Sequence, residues 1–94
     1  MDKNTEEFYD RLRTKLEESN VWPAEYLFKF IVPSDTDKVT EVQSAFNSIG
    51  AVIETRQSKT GTYTSISINV QMHSAQGIID KYLEVSIVEG IISL

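Results

Sequence analysis

Residues 53–72 of the chain read IETRQSKTGTYTSISINVQM, and this stretch is the most informative about the architecture of the domain. From Ser65 to Met72 polar and apolar residues alternate strictly, which is the period of a β-strand with one buried and one solvent-facing side. The segment Ser58-Lys59-Thr60-Gly61 supplies turn residues just before it, with the glycine where a positive φ is usually needed. The pattern therefore predicts a β-hairpin with strands over residues 51–57 and 62–72.

The N-terminal segment has the pattern of an amphipathic helix. An apolar residue recurs every four positions within the otherwise charged run 5–19. Asn4 and Glu7 have the spacing of a capping box, and Pro23 ends the helix because it pushes the preceding residue out of helical geometry. The predicted apolar stripe consists of Phe8, Leu12 and Leu16.

The remaining chain alternates between strand and helix patterns. A helix that stops at Gly50 is predicted after the first strand, with Ile49 on its apolar face. A further helix is capped by Ser74 and carries Ile87 on its apolar face. Strands are predicted over residues 26–32, 51–57, 62–72 and 91–94.

This order of elements predicts an α+β, ferredoxin-like βαββαβ domain over residues 23–94, preceded by a helical extension over residues 1–22. The alternating strands fit a four-stranded antiparallel sheet with both helices on one face and the other face open to water. The helix-packed face is expected to carry Phe28, Phe30, Ile66, Ile68 and Val70. The open face is expected to carry Lys29, Tyr63, Ser65, Ser67 and Asn69, with Arg56 nearby.

Composition excludes several classes of function. With 94 residues and 40% hydrophobic content, the chain forms one domain with a modest core. A net charge of −5 disfavours attraction to nucleic acid or anionic membranes, and no apolar run approaches the ~20 residues of a membrane span. The polar, acidic start does not resemble a signal peptide, and the lack of cysteine excludes disulfides and thiolate chemistry. We expect a cytoplasmic protein that binds neither nucleic acid nor membrane.

No catalytic, metal or cofactor site is predicted. His73 is the single histidine and has no carboxylate or thiol partner in the sequence pattern, so we interpret it as a surface residue. One histidine with dispersed carboxylates does not give the spacing of metal ligands. The turn at Pro33-Ser34-Asp35 lacks the glycine-rich anion loop of an acylphosphatase. The third strand also lacks the aromatic signature of RNA-recognition domains. We therefore predict that the protein is not an enzyme.

A polar patch at the hairpin is the candidate binding site. No acidic residue lies between Glu54 and Asp80. Positive side chains, hydroxyls and the free N–H groups of a glycine turn predict affinity for a carboxylate, a phosphate or another small ligand. The alternative interpretation is that Arg56 and Tyr63 are cross-strand neighbours that only stabilise the hairpin. The patch consists of Lys29, Arg56, Ser58, Lys59, Gly61 and Tyr63.

Three blocks of sequence resemble a known family: LFKFIVP at 27–33, RQSKTGTYTSISI at 56–68 and EGIISL at 89–94. Over residues 24–94 they are similar to the YbeD-like family of small uncharacterised bacterial proteins. The resemblance implies a ferredoxin-like sheet similar to ACT-type regulatory domains, which bind small molecules, often across dimers. The turn at 33–36 lacks the glycine that ACT-type domains often place there, and the resemblance implies no agreed activity.

Two functions therefore stay open. One is a non-catalytic regulatory or ligand-responsive ACT-like domain that acts as a homo-oligomer. The other is a protein-interaction adaptor that docks through the open sheet face or the N-terminal helix. Polar residues on the sheet favour the first, whereas an undocked apolar stripe on the helix would favour the second. The uncharged final strand, 91–94, predicts a homodimer formed along that edge.

Overall fold

The computed structural model describes residues 2–94, which fold into one antiparallel sheet and three helices. The strands lie in the order β2-β3-β1-β4. This is the ferredoxin-like arrangement preceded by a helix, so the predicted fold class is confirmed. The elements are α1 (Lys3–Ser19), β1 (Ala24–Pro33), α2 (Thr36–Ser44), β2 (Val52–Gln57), β3 (Tyr63–Met72), α3 (Ala75–Val85) and β4 (Ile92–Ser93).

The pairing of β1 with β3 sets the two faces of the sheet. Phe30 lies opposite Ile66, and Lys29 lies opposite Ser67. Opposite residues share a face, so the apolar side chains gather on one side and the polar ones on the other. The predicted register is confirmed, because the following residues of the helix-packed face are all buried: Phe28, Phe30, Ile66, Ile68 and Val70.

Two helices end earlier than the sequence predicts. α2 ends at Ser44, and its continuation tightens into i to i−3 hydrogen bonds, such as the one from the Phe46 N–H to the Gln43 carbonyl at 3.0 Å. A tighter turn rotates each residue further around the axis, so Phe46 reaches the core while Ile49 stays 38% exposed. The prediction that Ile49 packs on a helical face is therefore wrong.

The end of α3 shows the same effect. The Val88 N–H donates to the Val85 carbonyl at 3.0 Å, which is again an i to i−3 bond. Both valines are buried, whereas Ile87 is 76% exposed. The predicted apolar role of Ile87 is wrong, because the helix ends at Val85 before that residue can turn inward. Gly90 has a φ of +82° and lies in the loop before β4.

α1 begins earlier than predicted and packs on the sheet domain. Asp2, not Asn4, is the N-cap: its Oδ1 accepts a hydrogen bond from the Thr5 N–H at 2.8 Å. That bond to a backbone N–H lowers the pKa of the Asp2 carboxyl. Leu16 is buried in the core, and Arg13 Nε donates to Gln76 Oε1 of α3 at 2.9 Å. Leu12 and Leu16 of the apolar stripe are therefore docked on their own domain, whereas Phe8 is 53% exposed.

Trp22 lies in the short link between α1 and β1. Its side chain is half-buried and packs against the core. The indole Nε1 is buried and has no hydrogen-bond partner among residues 2–94. The link is thus held by apolar packing of the ring.

Candidate functional site

A groove with a volume of about 280 Å³ lies between α1, the sheet and α3. α1 packs beside α3, and Phe8 and Leu12 of its apolar stripe form one wall of the groove. We call this cavity the α1 groove. Its lining consists of Phe8, Tyr9, Leu12, Tyr26, Tyr82 and the chain end at Ser93 and Leu94.

Two tyrosines form the inner wall of the α1 groove and are anchored on the core. Tyr26 lies on β1 two residues before Phe28, on the same face, with a centroid distance of 4.7 Å between the two rings. Tyr82 lies on α3, and its ring centroid is 5.2 Å from that of Phe28. Edge-to-face packing of this kind fixes both rings, so the position of their hydroxyl groups is set by the core.

The hydroxyls of Tyr26 and Tyr82 are 2.8 Å apart and form a hydrogen bond in which either oxygen can donate. Two neutral phenols carry two protons, and this bond uses one of them. The phenol that accepts therefore keeps its own O–H free to donate to a third group. A mainly apolar groove with a few polar groups at its wall is the usual composition of a small-molecule site.

The environment keeps Tyr82 in its neutral form. Burial raises the pKa of the Tyr82 phenol well above its usual value of 10.0, and the hydrogen bond to Tyr26 raises it further. An ionised phenolate in this half-buried place would lose hydration without gaining a positive partner. Tyr82 is thus a hydrogen-bonding group rather than a base at physiological pH.

The raised pKa predicts a loss of stability in alkali. The unfolded chain releases the Tyr82 proton above pH ~10, whereas the folded chain retains it. The unfolded state then binds fewer protons, so the free energy of unfolding falls as pH rises above that value and is unaffected below it. Chemical denaturation between pH 8 and about 11 should show a shallower fall for Tyr82→Phe. The same change at exposed Tyr63 is the control, and equal slopes for both variants would contradict the assignment.

The predicted polar patch is only partly brought together. Arg56, Ser58 and Tyr63 line one depression of about 150 Å³ on the open face. Lys29 lines a different one beside Glu54 and Ser67. The remaining members of the patch, Lys59 and Gly61, lie in the hairpin turn between β2 and β3.

The hairpin turn uses the polar groups that were expected to bind an anion. The Gly61 N–H donates to the Ser58 carbonyl at 2.9 Å, and the Ser58 hydroxyl accepts from the Tyr63 N–H at 3.0 Å. The expectation that the glycine N–H is free is therefore wrong, because the turn itself consumes it. Gly61 has a φ of +76°, as the turn requires. Anion binding by Arg56 stays a prediction.

Residues 2–94 include the single histidine of the chain and all three helices. His73 is exposed and lines a depression of about 490 Å³ with Lys81 and Asp80. The Lys81 ammonium is already engaged, since it donates to the Ala45 carbonyl at 2.6 Å. Within these residues, no group of three or more His, Asp or Glu side chains is arranged to hold a metal ion. None of the helices they form has the length and apolarity to cross a membrane.

The α1 groove was not predicted from the sequence. Tyr26 belongs to the helix-packed side of β1 and Tyr82 to the apolar face of α3, so neither was predicted as a site residue. The available signal was that each carries a hydroxyl, and a buried phenol needs a hydrogen-bond partner. Two tyrosines on facing apolar surfaces therefore predict a buried hydrogen bond. The distance between their hydroxyls, however, depends on the tertiary structure.

Comparison with known proteins identifies the family. A family model described as Protein of unknown function (DUF493) matches residues 17–93. The chain belongs to this family. The DUF493 match covers all four strands and begins within the last turn of α1. It therefore starts before residue 24, where the resemblance seen in the sequence begins. Searches of curated proteins and of solved structures found no match to the chain.

Proposed function

We propose that the chain is a non-catalytic, ligand-responsive ACT-like regulatory domain, a YbeD-like cytoplasmic member of the DUF493 family that acts as a homo-oligomer. Its ligand site is the α1 groove. The observation that carries the proposal is the Tyr26–Tyr82 hydroxyl pair, one proton of which has no acceptor among residues 2–94, in a mainly apolar cavity. Such a group orients a ligand without transferring a proton to or from it.

The composition of the groove defines the ligand class. Its walls are mainly aromatic and aliphatic, with Ser93 as a polar member, so the body of the ligand is mainly apolar. The free O–H requires an acceptor oxygen on the ligand. A volume of about 280 Å³ is near the lower end for small-molecule sites, which limits the ligand to a single ring or a short branched chain.

The position of α1 couples the ligand to the rest of the molecule. Leu12 contributes to the groove and, four residues later, Leu16 packs into the core. A ligand that fills the groove adds contacts to the docked helix only, so it shifts the balance between docked and undocked α1. This shift is the response that a partner or a neighbouring copy would detect.

A matched pair of probes tests the site. Acetophenone has an aromatic ring and an acceptor carbonyl, whereas ethylbenzene has a similar shape without the acceptor. We expect acetophenone to shift the amide signals of Leu12 and Tyr82 in two-dimensional NMR spectra at lower concentration than ethylbenzene. Replacing both tyrosines with phenylalanine should remove the difference between the two probes.

A blocking variant completes the test. Leu12→Trp fills the groove and should abolish the acetophenone shifts. Val21→Trp adds the same ring at a site that is 89% exposed, outside the groove, and should leave the shifts unchanged. If both variants bind acetophenone as the natural chain does, the α1 groove is not the ligand site and the proposal fails.

A second candidate function, a protein-interaction adaptor, is favoured by the open sheet face. Leu27, Val52 and Ile92 lie there and are 50%, 65% and 51% exposed. No element among residues 2–94 covers them. Replacing Leu27 with aspartate should remove a partner that docks on this face and leave acetophenone binding unchanged, which separates the adaptor from the ligand-responsive domain.

A further inference from the structure

We propose that two copies of the chain pair antiparallel along β2, with Thr55 on the two-fold axis, so that one sheet continues across both. The proposal rests on the homo-oligomer of the proposed function and names its interface. β2 is an edge strand of the sheet. Every residue of β2 except half-buried Ile53 is exposed, so nothing within residues 2–94 blocks the approach of a second strand.

Hydrogen bonds within the hairpin fix which residues of β2 face outward. The Ser58 N–H donates to the Tyr63 carbonyl at 2.7 Å. Opposite residues in an antiparallel ladder alternate between bonded and non-bonded pairs. Bonded positions recur at every second residue of a strand. Starting from Ser58, Arg56 and Glu54 therefore also direct their main-chain groups toward β3. Ile53, Thr55 and Gln57 therefore direct their N–H and C=O groups away from the sheet.

These outward groups match a second copy of themselves. In the antiparallel pairing, Thr55 lies opposite Thr55 of the second copy. Ile53 lies opposite Gln57 of the second copy, and the reverse pair is equivalent by symmetry. All of these residues expose main-chain donors and acceptors, so the hydrogen-bonded positions of the two strands coincide. A two-fold pairing of this type is closed and needs no third chain.

The charges of β2 are also self-complementary. Glu54 and Arg56 precede and follow Thr55 in the strand, and their side chains lie on the open face. Neither forms an ion pair within residues 2–94. In the proposed dimer each Glu54 faces Arg56 of the second copy, at non-hydrogen-bonded positions where Cα atoms are only ~4.5 Å apart. A register shifted by two residues would oppose either the two glutamates or the two arginines, which is unfavourable. The sequence Glu-Thr-Arg thus specifies one register.

The other edge is less suited to pairing than the sequence predicted. β4 has two residues, and Leu94 already uses its N–H on the Lys29 carbonyl at 2.9 Å. By the same alternation, only Ser93 directs its main-chain groups outward. Charged residues usually protect an edge strand from pairing. On β2 the two charges are arranged symmetrically about Thr55, so they favour pairing with the same strand of a second copy.

Charge-swap variants test the interface by sedimentation equilibrium up to millimolar concentration. The natural chain should approach twice the monomer mass of 10.7 kDa. Glu54→Arg and Arg56→Glu each oppose like charges twice, and each should weaken the dimer on the order of tenfold or more. The double variant exchanges the two charges and should recover the dimer. Glu18→Arg on α1 makes the same change of charge at an exposed site as a control and should have no effect.

Mixing the two single variants gives the sharpest result. Each self-associates poorly. The Glu54→Arg chain carries arginine at positions 54 and 56, whereas the Arg56→Glu chain carries glutamate at both. In a mixed pair, each arginine therefore faces a glutamate. An equimolar mixture should therefore form a heterodimer at concentrations where the separate variants are monomers. A natural chain that stays monomeric, or a dimer that ignores these charges, would overturn the proposal. Neither result would change acetophenone binding, so the ligand site is judged separately.

Discussion

Replacing Phe30 with alanine is expected to lower the free energy of unfolding by about 3–5 kcal/mol. Phe30 is fully buried at the centre of the sheet. Its ring packs within about 6 Å of three other rings: Phe28 at 6.0 Å, Phe46 at 6.3 Å and Tyr82 at 5.9 Å between centroids. The cavity is enclosed by the sheet and two helices, so it cannot collapse readily. Urea denaturation followed by circular dichroism measures the loss.

The neighbouring residue provides the control for Phe30. Lys29 lies on the opposite face of β1 and is exposed, so Lys29→Ala should change stability by only about 0.5 kcal/mol in either direction. Domains of this size are stable by about 5–15 kcal/mol, so Phe30→Ala removes a large share. Similar losses for the two variants would mean that β1 does not have the register described here.

Deleting residues 1–20 is expected to lower the melting temperature by more than about 10 °C, or to prevent folding. α1 contributes Leu16 to the core, and removing it uncovers the inner wall of the α1 groove. Losing a buried leucine alone costs about 2–5 kcal/mol. Each kcal/mol shifts the melting temperature of a domain this size by about 4–8 °C. Differential scanning calorimetry measures the shift.

Two point variants within α1 test whether the stabilisation comes from the packing of α1 on the domain or only from the presence of the helix. Leu16→Ala should reproduce much of the destabilisation, because this side chain is 8% exposed. Phe8→Ala lies on the same helix, two turns earlier, where the ring is 53% exposed, and it should cost much less. A deletion that leaves the melting temperature unchanged would show that α1 is a free arm and would favour the adaptor function.

The sheet could be predicted closely from the sequence because its period is simple. The alternation from Ser65 to Met72 leaves only two registers, and the burial of Ile66 and Ile68 selects one of them. The helix ends were less predictable. A residue at position 49 or 87 lies on the apolar face only if the helix keeps 3.6 residues per turn, and tertiary packing replaced the last turn with a tighter one.

The candidate site could not be derived from the sequence alone. Arg56 and Tyr63 are conspicuous in the sequence because charge and hydroxyl groups stand out in a strand. The α1 groove is built instead mainly from apolar residues of elements far apart in the chain, and its hydrogen-bonding group is formed where two phenols from separate apolar faces meet. Only the packing angle of α1 on the domain decides whether such residues enclose a cavity or fill it.

The link at Trp22 gives the molecule an optical signal of its own. It is the chain's single tryptophan, it lies between α1 and the sheet, and its indole N–H is shielded within residues 2–94. Undocking of α1 would admit water to that N–H, and the emission of a hydrated indole shifts to longer wavelength. Fluorescence of the unlabelled chain therefore reports the state of the helix directly. The same emission would follow the proposed docking of α1 by a ligand without any label.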